Sequence, residues 1–163
     1  MRDGKESAAG EIEAIYRARS HAFLRSVTAF LDDGEAALDV VQEGFALALR
    51  RRDSFRREAS LETWLWRIVL NVARDRHRAL QRQGLTDVLA RADEVAADPI
   101  GDDLRTALLL LPERQRLAVF LRYYADMSYG QIAEALGIKP GTVAASLHAA
   151  HVALRRQIEE VAG

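Results

Sequence analysis

Between residues 60 and 82 the chain carries Trp64, Arg67, Asn71, Arg74, Arg78 and Arg82. Successive residues on a helix turn by about 100°. At that pitch these six share one arc, with Trp64 at its margin. Guanidinium groups neutralise phosphate, an amide can hydrogen-bond base edges, and an indole can stack on an unpaired base. The combination suits a nucleic-acid strand. Leu61, Leu65, Ile68, Val69 and Val72 fall on a different arc and are expected to face a core. The alternative is a solvated basic face beside a half-buried Trp, since charged helix faces are common.

Other chemistries find little support. The chain has no cysteine, which excludes disulfides, thiol catalysis and Cys-based zinc sites. His148 and His151 stand three apart on an expected helix, but no third ligand is evident, so no metal site is expected. There is no phosphate-binding glycine loop and no nucleophile–base pair. Neither enzymatic activity nor a cofactor is expected.

The 163 residues suffice for one ordinary domain or two small ones. With 29% charged and 49% hydrophobic residues, the composition is that of a globular protein. No apolar run approaches the roughly 18–20 residues needed to span a membrane, and the start, MRDGKESAAGE, lacks a signal-peptide core. A cytoplasmic location without membrane insertion is expected. The net charge of −1 hides an asymmetry: residues 1–49 carry −4, 50–82 carry +6, 83–101 carry −3, and 102–163 are neutral. One basic block lies between acidic ones. Such a chain should bind free duplex poorly unless a partner holds the basic block in place.

The elements that must position these residues are helices; no alternating strand pattern occurs. Residues 1–10 read as a frayed polar end. A first helix is expected from about Glu11 to Leu31, with Ile12, Ile15, Tyr16, Phe23, Val27 and Phe30 inward. Asp32-Asp33-Gly34 ends it. A second helix, about 35–52, is expected to bury Leu38, Val41, Phe45 and Leu49 and to expose Asp39, Gln42, Glu43 and Ala46. The loop DSFRREAS leads to Ser60, which caps the third. Residues 84–101 read as an 18-residue acidic linker, able to reach roughly 60 Å when extended. The second unit starts at Asp102. It is expected to bury Leu104, Leu108 and Leu111, then Leu117, Phe120, Leu121 and Tyr124. Ser128 with Gln131 matches a capping box. Gly137 is the turn residue, and a last helix of about 140–160 is expected to bury Val143, Leu147 and Leu154. A small residue, Ala133, stands where two helices would cross. The pattern is a helix-turn-helix. The fold class is therefore all-α, with domains at 1–83 and 102–163.

DVVQEGFALAL followed by SFRREASLETWLWRIVLNVARDRHR resembles region 2 of RNA polymerase sigma factors of the extracytoplasmic-function group, within the sigma-70 family. LPERQRLAVFLRYYADMSYGQIAEALGIKPGTVAASLHAAHVALRRQI resembles their region 4. The resemblance spans roughly residues 11–160. It implies a factor that binds core RNA polymerase, through the β′ clamp helices and the β flap, and directs it to promoter DNA. Asp39, Gln42 and Glu43 match the residues that dock on the clamp helices. The loop from Ser54 to Ser60 and the helix after it match the part that captures a flipped base of the −10 element. There the candidates are Phe55, Arg56, Trp64, Arg67, Asn71, Arg74 and Arg78. Trp66, near Leu70 and Ala73, is expected in the core. The −35 element would be read by Lys139, Thr142, Ser146, His148 and Arg155, with Arg156 beside them. An anti-sigma partner is implied as well.

Two features depart from the family. No Lys or Arg occurs from Pro140 to Leu154, where members usually carry several; Ala144, Ala145, Ser146, His148, Ala149 and His151 are expected to be exposed. The −35 contact is therefore expected to be weak or partner-dependent, or this face packs on a protein. Ala36 and Leu38 occupy places where the family usually has carboxylates. The alternative function is a sigma mimic that sequesters an anti-sigma factor without initiating transcription.

Overall fold

The computed structural model describes residues 2–83 and 101–163, with side chains from Ser7 onward. The expected linker lies outside the described residues, apart from Gly101. Among the described residues there are seven α-helices, one short 3-10 turn and no strand.

Helix α1 (Arg2–Leu31) begins nine residues earlier than the sequence pattern suggested. Residues 2–10 continue it rather than fray. Ser7 Oγ donates to Glu11 Oε1 at 3.0 Å, Glu13 pairs with Arg17 one turn on, and Ala8 and Ala9 are strong helix formers. Asp32 turns the chain with φ of 54°, a left-handed corner. Asp33 then caps α2 (Gly34–Arg50) by accepting from the Ala36 N–H.

The buried stripe of α2 is rotated from the expected one. Ala37, Val40, Val41, Gly44, Phe45 and Ala48 are buried, whereas Leu38 and Leu49 are 44% and 38% exposed. Close approach decides this. A Cβ on Gly44 would lie 2.7 Å from Val69 Cγ2 and 3.1 Å from Val69 Cα, so the small residues of α2 must face α3. The larger leucines are left at the margin.

A 3-10 turn (Arg52–Ser54) and a short loop lead to α3 (Leu61–Arg82). The Ser60 side chain accepts from the Thr63 N–H and starts this helix. Leu65, Ile68 and Val69 are buried as expected, and Leu61 and Val72 are half-buried. Trp66, Leu70 and Ala73 widen the buried arc. Trp66 stacks on Phe23 of α1 with ring centres 3.8 Å apart, and Phe23 meets Phe45 of α2 edge-on at 5.0 Å. One aromatic layer thus ties the three helices together.

The second unit holds α4 (Asp102–Leu109), α5 (Glu113–Tyr123), α6 (Tyr129–Leu136) and α7 (Pro140–Ala162). Ser128 and Gln131 form the expected reciprocal capping box. Gly137 takes a left-handed conformation, φ 67°, and the Ile138 N–H bonds back to the Ala133 carbonyl at 3.0 Å. That turn sets α7 across α6 as a helix-turn-helix, closed by buried Ala133, Val143, Leu147 and Ala150.

Candidate nucleic-acid interface

Helix α3 buries more than half its circumference, so what remains outward is narrow. Arg67, Asn71, Arg78 and Arg82 are exposed, and Trp64 and Arg74 are half-buried. Trp64 lies against Phe55 with ring centres 5.3 Å apart and planes tilted by 48°. The loop and the helix therefore share an aromatic ledge at the head of the cationic row. Arg56 is exposed in that loop, and Arg57 beside it holds a left-handed φ of 60°. The two tryptophans separate as expected: Trp66 is 1% exposed and structural, Trp64 is on the rim.

Two of the arginines are engaged by the second unit. Arg67 Nε donates to the Glu134 carbonyl, in the last turn of α6, at 2.7 Å. Arg74 Nε lies 3.2 Å from Glu113 Oε1, at the start of α5, as an ion pair. Arg78 makes only a loose 3.5 Å contact to Asp75, one turn back. Further contacts continue this seam. Arg116 of α5 is 5% exposed. Its guanidinium lies 4.9 Å from the centre of the Phe30 ring, donates to the Leu109 carbonyl at 3.0 Å, and sits 3.4 Å from His77 Nε2. Burial, and next the Arg116 charge, push the His77 pKa below its ordinary value; Glu113 opposes this and Arg78 adds to it. Arg105 of α4 grips Asp32 with two bonds of 2.7 Å. Arg19 of α1 donates to the Ala125 carbonyl at 3.1 Å and to Glu62 at 3.0 Å.

Sequence reasoning missed these partners. Those that join the two units are separated from their counterparts by 39 to 106 residues, and no local pattern announces a contact of that range.

The other two candidate surfaces lie elsewhere. Asp39, Gln42 and Glu43 are exposed together on α2. On α7, Lys139, Ala144, Ala145, His148, Ala149, His151, Arg155 and Arg156 are exposed, and Thr142 is half-buried. Ser146 corrects the expectation for this helix. It is 5% exposed, because it lies beside Val143 and Leu147 on the stripe turned toward the unit's own core. His151 Nε2 meets the Tyr123 hydroxyl at 2.9 Å.

Among the described residues no helix is long and apolar enough to cross a membrane. Residues 15–83 match the family model for sigma-70 region 2, and residues 101–154 match that for sigma-70 region 4. The chain is 27% identical to the ECF RNA polymerase sigma factor SigW of Bacillus subtilis over 179 residues, 99% of this chain and 94% of that one. It is 31% identical to the RNA polymerase sigma-E factor of Streptomyces antibioticus over 153 residues, 91% of this chain and 85% of that one. Among solved structures, CnrH in complex with the cytosolic domain of CnrY matches with a TM-score of 0.73 at 23% identity, covering 96% of this chain and 95% of that one. The sigma factor RpoE of Bartonella quintana, in complex with the anti-sigma factor NepR, matches with a TM-score of 0.63 at 21% identity, covering 98% of each chain. With both regions present in order on two helical units, this chain belongs to the extracytoplasmic-function group of the sigma-70 family, the sigma factors of transcription initiation.

Proposed function

We propose that this chain docks on core RNA polymerase through Asp39, Gln42 and Glu43 of α2, at the β′ clamp helices, and captures the non-template strand of the −10 element on α3. The observation that carries this reading is the Phe55–Trp64 ledge at the head of the row formed by Arg67, Asn71, Arg74 and Arg78. A flipped base needs a stacking surface, and the phosphates after it need cations along one line. Arg56, exposed in the loop, extends that line. Region 4 would meet the β flap and touch the −35 element through Lys139, Thr142, His148 and Arg155. With no Lys or Arg between Pro140 and Leu154, few phosphates are neutralised there and the contact is weak. Ser146, buried in its own unit, drops out of that contact. An anti-sigma factor is the proposed regulator, as the two structural neighbours are each bound to a partner, named as an anti-sigma factor in one of them.

Asn71→Ala tests the reading. A side chain reading a base contributes about 1–3 kcal/mol, so open-complex formation should fall roughly fivefold to a hundredfold while binding to core polymerase is unchanged. Permanganate footprinting of the melted region and a polymerase pull-down check the two halves. Equal loss of both would make Asn71 structural and end the assignment.

The cation-poor α7 favours a second reading, a sigma mimic that titrates an anti-sigma factor. In-vitro transcription with core polymerase decides between them: a transcript from any promoter excludes a pure mimic.

A further inference from the structure

We infer that protons switch the −35 contact: His148 and His151 of α7 are its phosphate-binding cations, so region 4 grips duplex DNA when they are charged and loosens when they are neutral. This rests on the assignment of α7 to the −35 element. The helix carries no Lys or Arg from Pro140 to Leu154, and the two imidazoles are the only side chains of that stretch that can become cationic. Both are exposed. His148, His151 and Arg155 follow one another at i, i+3 and i+7, the spacing of one helix face. Histidine changes its charge between about pH 5 and pH 8. An imidazolium brings a positive charge and two N–H donors to a phosphate oxygen; the neutral ring brings one donor and no charge.

The surroundings keep His151 in place in either charge state. Its Nε2 lies 2.9 Å from the hydroxyl of Tyr123, at the end of α5, and the two rings are 6.0 Å apart with planes tilted by 54°. A phenol hydroxyl can donate to the neutral ring and accept from the charged one. A proton therefore alters the charge of this face and not its shape. The helices packed on α7 carry the carboxylates of Asp102, Asp103, Glu113 and Glu134. Among the described residues, however, no carboxylate pairs with either imidazole. The cations of those helices are turned elsewhere: Arg105 to Asp32, Arg116 to the Leu109 carbonyl and Arg122 to the Met127 carbonyl. Arg114 lies at the far end of α5 from Tyr123. The standing positive charge of the row is Arg155, one turn beyond His151, and acid pH extends that row back to His148. The same chain then relies on the −10 strand at alkaline pH and on both promoter elements at acid pH.

Holoenzyme and a promoter duplex that it selects from a random pool provide the test. Each phosphate contact steepens the fall of log K with log salt by about 0.9. From about pH 8 to about pH 6 the parent should bind about fivefold to fiftyfold more tightly at about 0.1 M salt, with a slope steeper by up to about 1.8. Hydroxyl-radical protection of the duplex upstream of the melted region should strengthen over the same range. His148→Gln combined with His151→Gln should bind at both pH values as the parent does at the higher one. His148→Arg combined with His151→Arg should bind at both as the parent does at the lower one. His21 and His77 remain in every variant, so the proposal is overturned if the Gln pair keeps the parent's full rise on acidification. It is overturned as well if the Arg pair binds no more tightly than the Gln pair at the higher pH. A failure of the underlying assignment looks different: the upstream duplex then stays unprotected at both pH values, even with the Arg pair, and the proposal falls with it.

Discussion

Trp64 and Trp66 are two positions apart, and α3 turns them to opposite fates. Trp66 is stacked on Phe23 in the core. Trp66→Ala should destabilise the fold by about 3–5 kcal/mol, visible as a lower midpoint in urea unfolding. Trp64→Ala should cost much less stability and instead slow promoter melting. These are the only tryptophans in the chain. In a Trp66→Phe variant, emission therefore reports Trp64 alone, and stacking of a captured base should quench it. With 5-hydroxytryptophan incorporated into this chain alone, so that the tryptophans of the polymerase stay silent, an unchanged spectrum on adding the −10 strand to holoenzyme would remove Trp64 from the capture site. This division was legible in the sequence, because the two residues lie on arcs about 160° apart and Leu70 and Ala73 mark the buried one. Ser146 was not legible. One face of α7 is alanine-rich throughout, and alanine is indifferent to which side is buried, so periodicity could not fix the helix rotation there.

Among the elements, the local signals of capping and turning were reliable. Ser60, Ser128 with Gln131, and Gly137 all act where their chemistry predicts. Hydrophobic size was a poorer guide. On α2 the side chains that decide the packing are the smallest, and Gly44 is the closest point of approach. Gly44→Ala should destabilise region 2 by about 1–3 kcal/mol, although alanine favours helix, because the new methyl group meets Val69 backbone as well as side chain. A stability gain on circular dichroism melting would show that α2 and α3 can separate without penalty. The start of α1 was also misread, since polar composition alone looked like fraying. The side-chain pairs at Ser7–Glu11 and Glu13–Arg17 are what extend it.

For the whole molecule, the two units and their order could be read from the chain, but their mutual seam could not. Its groups come from helices far apart in sequence, and each reads locally as an ordinary surface charge. His77 gives this seam a pH dependence. Burial and Arg116 favour its neutral form, so the closed, folded protein binds fewer protons there than an open or unfolded one. Stability of the seam is fully present above the ordinary value of 6.5 and declines as pH falls below it. Energy transfer between dyes on Ala18→Cys of α1 and Glu159→Cys of α7, both exposed positions, should fall between about pH 7 and pH 5, and His77→Gln should flatten that fall. An identical profile in the variant would assign the effect to another group.

The seam that engages Arg67 and Arg74 leaves Asp39, Gln42 and Glu43 in the open on α2. If polymerase docks on these three residues, as proposed, recruitment need not wait for the seam to part. On that reading the enzyme would meet the subunit with its seam still closed, and how fast the factor is found and how fast the seam parts would be set by different steps.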